Sequence, residues 1–477
     1  MMKFRLIALA AGLVAAMGSA QALTPAEIVA AGANLKVIHM SGASAQRLAI
    51  GSAFKDFCNA DNHVYFSKST GGSNKDGDNH RAYACTLKAA VGTWAVGTPV
   101  LFIKRDQGGS GLGVNQVAKQ TPMAFMKIDN NAGNCVDKGV PVNGDIETPN
   151  FVCQSTENVA PKAGISDVEP AIMNQTVNLE AGTSAADLTK LDSAVFVAAN
   201  FGVAVNLNAY RKLQQEQGLT QDDADANIPS IPSTFVRGAL TGGLNGSAAA
   251  KRGWNMLISA GTDANINGKA VNVCRRANGS GTQAVSNMYF ANTPCGGSNG
   301  LTVTGSTGTP VSVTGSVNVI ESTGSGGVIS CLSDTTQGQL GTAADPAYAL
   351  GVLSLENNPL SSAGTKAYRF VKIDGKLPRR SAAQTGAYDF VYEATMQWNK
   401  DAVPAGSPEA VFLGNMRSNA GKIAKIKLVD ADFQNGMMAT TVSYSGGWNA
   451  LPAADKDYAS RVQRTALNSC TPLKLAK

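Results

Sequence analysis

The stretch that decides the fold is Val271-Asn272-Val273-Cys274-Arg275-Arg276-Ala277-Asn278-Gly279-Ser280-Gly281-Thr282. Its first six residues have strand character, and residues 283–290 continue with the spacing of a helix. The turn between them consists of Ala, Asn, Gly, Ser and Thr. The first backbone N–H groups of such a helix have no partner within the helix and lie at the positive end of its dipole. The stretch therefore predicts an α/β unit whose turn is suited to an anion.

The same order of strand, Gly/Ser turn and helix recurs along the chain. Residues 35–40 read as a strand that leads into Ser41-Gly42-Ala43-Ser44, and residues 99–105 as a strand that leads into Gly109-Ser110-Gly111. A long apolar strand is predicted over 196–207. Residues 61–81 are expected to be a polar loop, 127–160 an inserted loop closed by a disulfide, and 296–330 an exposed β-hairpin excursion.

Composition limits the classes of protein to consider. The 477 residues are 44% hydrophobic and 16% charged, which excludes disorder and predicts two or more lobes. A net charge of +6 is too diffuse for a nucleic-acid surface but favours anionic ligands. The 3 histidines all precede residue 81, and no Cys/His spacing is typical of zinc. We therefore predict no metal, no cofactor and no nucleic-acid partner.

The first 22 residues have the pattern of a secretory signal peptide. Two cations lie within residues 1–5, an apolar run covers 6–17, and Ala20-Gln21-Ala22 matches the small-x-small cleavage pattern. The apolar run is too short to span a bilayer. We expect a periplasmic or secreted mature chain without a membrane span.

The 8 cysteines fit an oxidising compartment. Pairing of neighbours gives Cys58–Cys85 and Cys135–Cys153, and a third disulfide between Cys295 and Cys331 could close the base of the 296–330 segment. Eight cysteines allow 105 connectivities, so these pairings are one choice among many.

The segment 275–282 resembles the Arg-x-Asp-Gly-Ser-Gly-Thr signature of the periplasmic phosphate-binding proteins of ABC transporters. Other segments of that family follow in the same chain order. They are its first Gly-Ala-Thr/Ser turn (41–44), its Ser-Gly-Gly helix start (109–116), its Gly-Ala-Ser-Asp segment (163–167), its strand before the hinge (201–206) and its Phe-x-Gly…Trp-Asn stretch (235–238 with 253–255). The chain is similar to the family in outline over most of 36–400, and densely only at these motifs.

The resemblance implies the fold of a type 2 periplasmic binding protein, with two α/β lobes, hinge-crossing strands and a central ligand cleft. The first lobe would comprise residues 23–206 and 389–477, and the second residues 207–388 with a β-rich insertion at 296–330. It also implies a non-enzymatic, monomeric protein that binds inorganic phosphate for uptake through an ABC transporter permease. Carried over position by position, the ligand-binding residues would be Ser44, Ala45, Ser110, Asp167, Arg276, Ser280, Gly281 and Thr282.

Asp167 carries the chemical argument for phosphate. A carboxylate beside an anion is repulsive unless the ligand still has a proton to donate, which phosphate has and sulfate lacks. The alternative is that Asp167 caps a helix beginning near Glu169.

The sequence also departs from the family's pattern. Asn278 stands where the family has Asp, which predicts a less restrained Arg276, and Ala45-Gln46 replaces the aromatic residue expected after the first turn. The segments 127–160 and 296–330 are long for a transporter component. Two alternatives therefore stay open: another oxyanion as the ligand, and an extracellular structural or interaction protein without a transport role.

A serine hydrolase is the enzymatic alternative. Gly296-Gly297-Ser298-Asn299-Gly300 matches the G-x-S-x-G motif, but it lacks the required strand and helix, and no histidine follows it.

Overall fold

The computed structural model describes residues 22–59, 62–71, 75–142, 145–244, 251–291, 306–307, 311–333, 342, 344–360, 365–433, 436–464, 466–470 and 473–475. The predicted signal peptide, apart from Ala22, lies outside this range, as does Cys295. No helix in the described ranges is long and apolar enough to cross a membrane.

The strands of the described chain are β1 (Lys36–Gly42), β2 (His63–Ser67), β3 (His80–Thr86), β4 (Pro99–Arg105), β5 (Met123–Met126), β6 (Cys135–Asp137), β7 (Phe151–Cys153), β8 (Thr156–Val159), β9 (Ala163–Ser166), β10 (Leu191–Asn206), β11 (Ser230–Ile231), β12 (Val271–Arg276), β13 (Ser306–Thr307), β14 (Val311–Thr314), β15 (Val317–Ser322), β16 (Tyr348–Ser354), β17 (Tyr368–Phe370), β18 (Lys372–Ile373), β19 (Val391–Asn399), β20 (Met437–Ala439), β21 (Val462–Gln463) and β22 (Lys474–Leu475).

The helices of the described chain are α1 (Pro25–Ala31), α2 (Arg47–Lys55), α3 (Val117–Lys119), α4 (Pro170–Met173), α5 (Leu207–Glu216), α6 (Ser233–Leu240), α7 (Gly281–Ala291), α8 (Ser325–Ser333), α9 (Arg380–Ala383), α10 (Pro408–Ala420), α11 (Ile423–Phe433) and α12 (Ala453–Lys456). A π-helical turn, Leu112–Gln116, precedes α3.

One mixed sheet of 16 strands runs through the molecule, in the order β13-β15-β12-β16-β10-β19-β9-β1-β4-β3-β2-β7-β6, with β14 on β15 and with β17 and β20 on β10. We call the strands from β19 to β6 the first half-sheet and those from β16 to β13 the second half-sheet. Within each half the strands that matter for the site are parallel: β4, β1 and β9 in the first, and β15, β12 and β16 in the second. The predicted α/β fold is confirmed.

Strand β10 joins the two half-sheets. It pairs with β19 as far as Asn200 and with β16 from Phe201 onward. The long strand predicted over 196–207 is present as β10, and the exchange of partners midway was not predicted. The change of partner falls at 200–201, inside the predicted first lobe, and the lobe boundaries themselves stay a prediction.

Two main apolar cores flank β10. One lies around the first half-sheet and includes α2, α10 and α11, and the other lies around the second and includes α5, α6 and α7. The second core also takes Val114, Val117 and Ile172 from the chain that follows β4 and β9. Segments next to the first half-sheet therefore reach across to the second.

Three sequence predictions about loops are wrong in part. Residues 61–81 contain β2 and the start of β3, and His80 is buried there. The segment 127–160 contributes β6 and β7 to the sheet edge, because its apolar Phe151 and Val152 extend the pairing of β2. In 296–330, of which 296–305 and 308–310 lie outside the described residues, the predicted hairpin is present, because β14 pairs antiparallel with β15. It is not an exposed excursion, since β15 also pairs with β12 over its whole length and α8 packs on both.

The disulfides confirm two predicted pairs and correct a third. Cys58–Cys85 and Cys135–Cys153 are bonded. Cys331 is bonded to Cys274 rather than to Cys295, because the parallel pairing of β12 and β15 brings α8 over β12. Cys470 is also disulfide-bonded.

Candidate functional site

The predicted site residues lie where parallel strands end. Ser44 and Ala45 follow β1, Ser110 follows β4, and Asp167 follows β9, all in the first half-sheet. The turn with Ser280, Gly281 and Thr282 follows Arg276, the last residue of β12 in the second half-sheet. Ligand clefts of open α/β sheets form at the carboxyl ends of their strands.

The two sets of strand ends are in direct contact. The backbone N–H of Gly111 donates to the carbonyl of Gly279 at 2.7 Å. A Cβ added at Gly281 would overlap Ser110 Oγ and the Asp167 carboxylate. Glycine at 281 is therefore what lets the first turn of α7 reach Ser110 and Asp167. We call this contact region between the two sets of strand ends the cleft.

Local packing explains the position of Ser110. The π-helical turn Leu112–Gln116 packs directly on β1 and β9, because Gly113 has no side chain and a Cβ there would overlap the Ile165 carbonyl. Ser41 Oγ donates to the Leu112 carbonyl at 2.9 Å and fixes the same turn. Ser110, fully buried, thereby faces Asp167.

Asp167 is the centre of the hydrogen-bond network in the first half of the cleft. Its backbone N–H donates to Ser110 Oγ at 3.0 Å, and its carboxylate accepts from Ser110 Oγ at 3.3 Å and from Gln46 Nε2 at 3.1 Å. The N-cap residue of α4 is Glu169, which makes no side-chain capping hydrogen bond, so Asp167 is not a helix cap. Burial raises the pKa of Asp167, and the Gln46 hydrogen bond and the Arg276 charge oppose that rise.

Arg276 is the cation of the second half of the cleft. Its guanidinium donates to Ser325 Oγ at 3.1 Å and to the Thr323 carbonyl at 2.9 Å, while its Nε is buried without a hydrogen-bond partner in the described chain. Burial lowers the pKa of Arg276 to about 10, with Asp167 as the opposing charge, so the group stays charged at neutral pH.

The prediction that Asn278 leaves Arg276 less restrained is wrong. Asn278 Oδ1 accepts from Arg275 at 2.8 Å, and Arg275 also pairs with Glu321 at 3.8 Å. Arg276 is instead held by the turn between β15 and α8 at Thr323 and Ser325. The substitution of Asp by Asn therefore bears on Arg275 and leaves the restraint on Arg276 in place.

The remaining predicted residues differ in role. Ser280 Oγ accepts from the Gln283 N–H at 3.4 Å, as a side chain at the start of a helix does. Ser280 and Thr282 are both buried beside Arg276 at the start of α7. Ser44 and Ala45 form the turn before α2, and the Ser44 carbonyl accepts from Arg47.

Sequence reasoning missed several charged and polar groups of the cleft. Lys104 Nζ donates to Asp106 at 2.5 Å and to the Ala43 carbonyl at 2.8 Å, with both side chains buried. Arg47 and Glu356 approach to 4.0 Å. Burial raises the pKa of Glu356 to about 8, with Arg47 opposing and Asp167 reinforcing the rise. Lys104 and Asp106 at the end of β4 were visible in sequence, whereas Glu356 has no local motif.

Similarity to known proteins is found among solved structures. No family model matches the chain, and no curated protein matches it in sequence. Among solved structures, the chain is similar to a protein from Clostridium perfringens with bound phosphate, at 11% identity over 84% of this chain and 99% of that one, with a TM-score of 0.40. It is similar to an ABC-type phosphate transport receptor from Vibrio cholerae, at 11% identity over 83% and 99%, with a TM-score of 0.37. It is also similar to PstS from Borrelia burgdorferi, at 10% identity over 84% and 98%, with a TM-score of 0.32.

Proposed function

We propose that this chain is a periplasmic or secreted solute-binding protein that takes phosphate, or a similar oxyanion, into the cleft between two hinged lobes. It acts as a monomer, catalyses no reaction and hands its ligand to an ABC transporter permease. The lobes are residues 23–206 with 389–477, and residues 207–388. The ligand-binding residues are those of the two turns and strand ends that meet there: Ser44, Ala45, Ser110, Asp167, Arg276, Ser280, Gly281 and Thr282.

One observation carries the proposal. The buried guanidinium of Arg276 has an Nε without a hydrogen-bond partner among the described residues, and Arg276 ends the strand that leads into α7, an 11-residue helix. A buried donor without a partner is costly, and an oxyanion oxygen is the acceptor that both a guanidinium and a helix N-terminus favour. Asp167 opposite would accept a hydrogen bond from the O–H group that phosphate carries and sulfate lacks.

Calorimetry with phosphate, arsenate and sulfate tests the proposal. We expect the wild type to bind phosphate more tightly than sulfate. Asp167→Asn should lower the ratio of the phosphate affinity to the sulfate affinity, because an amide donates to the ionised oxygen that a carboxylate repels. An unchanged ratio would mean that Asp167 does not contact the ligand.

The alternative is an extracellular structural or interaction protein without a transport role. The direct Gly111–Gly279 bond favours it, since the cleft is closed by the protein's own groups. Retention of radiolabelled phosphate separates the two: saturable retention supports the solute-binding protein, and none at millimolar phosphate supports the structural one.

A further inference from the structure

Gln46 occupies a place in the cleft that its sequence position does not explain. It is fully buried and precedes α2. Its Nε2 donates to Asp167 Oδ1 at 3.1 Å, while its Oε1 is buried without a hydrogen-bond partner in the described chain. The orientation of the amide follows from this bond, because Asp167 Oδ1 is an acceptor and only the amide nitrogen can donate to it.

Two acceptors therefore lie next to each other in the first half of the cleft. One is the Asp167 carboxylate, and the other is Gln46 Oε1, on the same planar amide that touches that carboxylate. A ligand with a single O–H group can satisfy only one of them. A buried carbonyl oxygen that stays unpaired after the ligand has excluded water is costly.

The charges around the cleft match an ion of one negative charge. Lys104 is paired with Asp106, Arg47 approaches Glu356, and Arg276 faces Asp167. With Glu356 protonated at neutral pH, because its pKa is about 8, these six groups sum to one positive charge.

We infer that Gln46 is a specificity-determining residue of the proposed site and that this site takes a tetrahedral oxyanion in its doubly protonated form, such as dihydrogen phosphate or dihydrogen arsenate. One ligand O–H donates to Asp167 and the other to Gln46 Oε1, while the remaining oxygens accept from Arg276 and the start of α7. The inference rests on the proposed function and names the protonation state that the site selects.

A series of ligands with falling O–H count tests it at pH 6. Phosphate as the monoanion has two O–H groups, methylphosphonate has one and sulfate has none. We expect calorimetry of the wild type to show phosphate binding at least tenfold more tightly than methylphosphonate, and methylphosphonate more tightly than sulfate. The methyl group would leave Gln46 Oε1 unpaired.

Gln46→Leu should abolish most of the preference for phosphate over methylphosphonate. We expect the affinity for phosphate to fall to within about threefold of the affinity for methylphosphonate, because no acceptor is left for the second O–H group. The matched control is Gln214→Leu, which replaces another fully buried glutamine, on α5, whose amide donates to the Asp222 and Asn227 carbonyls. It should lower stability yet keep the wild-type ratio of affinities.

The pH dependence gives a second measurement. The affinity for total phosphate should fall up to about tenfold per pH unit above the second pKa of phosphate, since one ligand proton is lost. Ionisation of Glu356 as the pH rises would also weaken binding. Glu356→Gln removes that contribution, so the inference requires this variant to show the same fall in phosphate affinity with pH. The other charged groups around Glu356 and the cleft are Asp106, Asp167, Lys104, Arg47 and Arg276.

Each failure has its own outcome. The inference is overturned, while the proposed function stands, if the wild type binds methylphosphonate as tightly as phosphate. The same holds if Gln46→Leu keeps the wild-type preference for phosphate over methylphosphonate. The wild-type series decides alone if Gln46→Leu does not fold. A wild type that binds none of the ligands at millimolar concentration overturns the proposed function and the inference together.

Discussion

Arg276 is the residue on which anion binding should depend most. Replacing it with alanine removes the cation opposite Asp167, and we expect phosphate binding to weaken by roughly 2–5 kcal/mol, the usual cost of truncating one side of a buried charge pair. The matched control is Arg369→Ala, which removes another buried guanidinium, one paired with Asp223 at 2.9 Å. Calorimetry of both variants checks this; equal losses of affinity would show that Arg276 acts through stability alone.

Glu356 should make the stability of the protein depend on pH. Its pKa of about 8 lies above the ordinary value of 4.5, so the folded chain binds more protons than the unfolded chain between those values. The free energy of unfolding therefore falls as pH rises through that window. Glu356→Gln removes this term, and we expect it to be more stable than wild type at pH 8, on the order of 1 kcal/mol or more, with little difference near pH 4.5. Denaturant unfolding at the two pH values measures it; a variant no more stable at pH 8 would contradict the raised pKa.

Among individual residues of the candidate site, the sequence predicts those that lie in a recognisable local motif and misses those that do not. Ser110, Asp167 and Arg276 were predicted because each lies in a segment that resembles a motif of the family. Gln46 was noticed only as a departure from a family pattern, and Glu356 follows β16, 189 positions after Asp167. Alternation along β12 separates the faces of Arg275 and Arg276, but it does not show that the turn brings Asn278 back to Arg275.

Among the elements, the disulfide Cys274–Cys331 should matter for binding as well as stability. It ties β12 to α8, and the first residue of α8, Ser325, holds Arg276. Replacing both cysteines with alanine should lower the free energy of unfolding by roughly 2–5 kcal/mol and also weaken phosphate binding. The control removes Cys135–Cys153 at the sheet edge, which should cost stability without a change in affinity. Denaturant unfolding with calorimetry checks both; unchanged affinity in the first variant would mean that Arg276 does not rely on α8.

Elements were predicted well where apolar alternation was strong and poorly where pairing decides. The strands β1, β4, β10 and β12 follow from sequence. In contrast, β6 and β7 lie in a segment predicted to be a loop, and they are strands because β2 offers an edge to pair with. Alternation predicted strands in 296–330, but it did not show that β15 joins the central sheet through β12.

For the whole molecule, the proposed hinge motion requires the cleft contact to open and close. Only glycine at 281 lets the start of α7 meet Ser110 and Asp167, so Gly281→Ala should hold the two sides apart. We expect phosphate binding to weaken by about 1–3 kcal/mol, although no charge or hydrogen-bonding group is lost, and the radius of gyration from solution X-ray scattering to exceed that of wild type with phosphate. Gly414→Ala on α10 is the control, because nothing lies within 4 Å of a Cβ there. It should leave both quantities unchanged. If Gly281→Ala bound phosphate with wild-type affinity and radius, the contact would not be part of binding, and the two sides of the cleft would not close on a ligand.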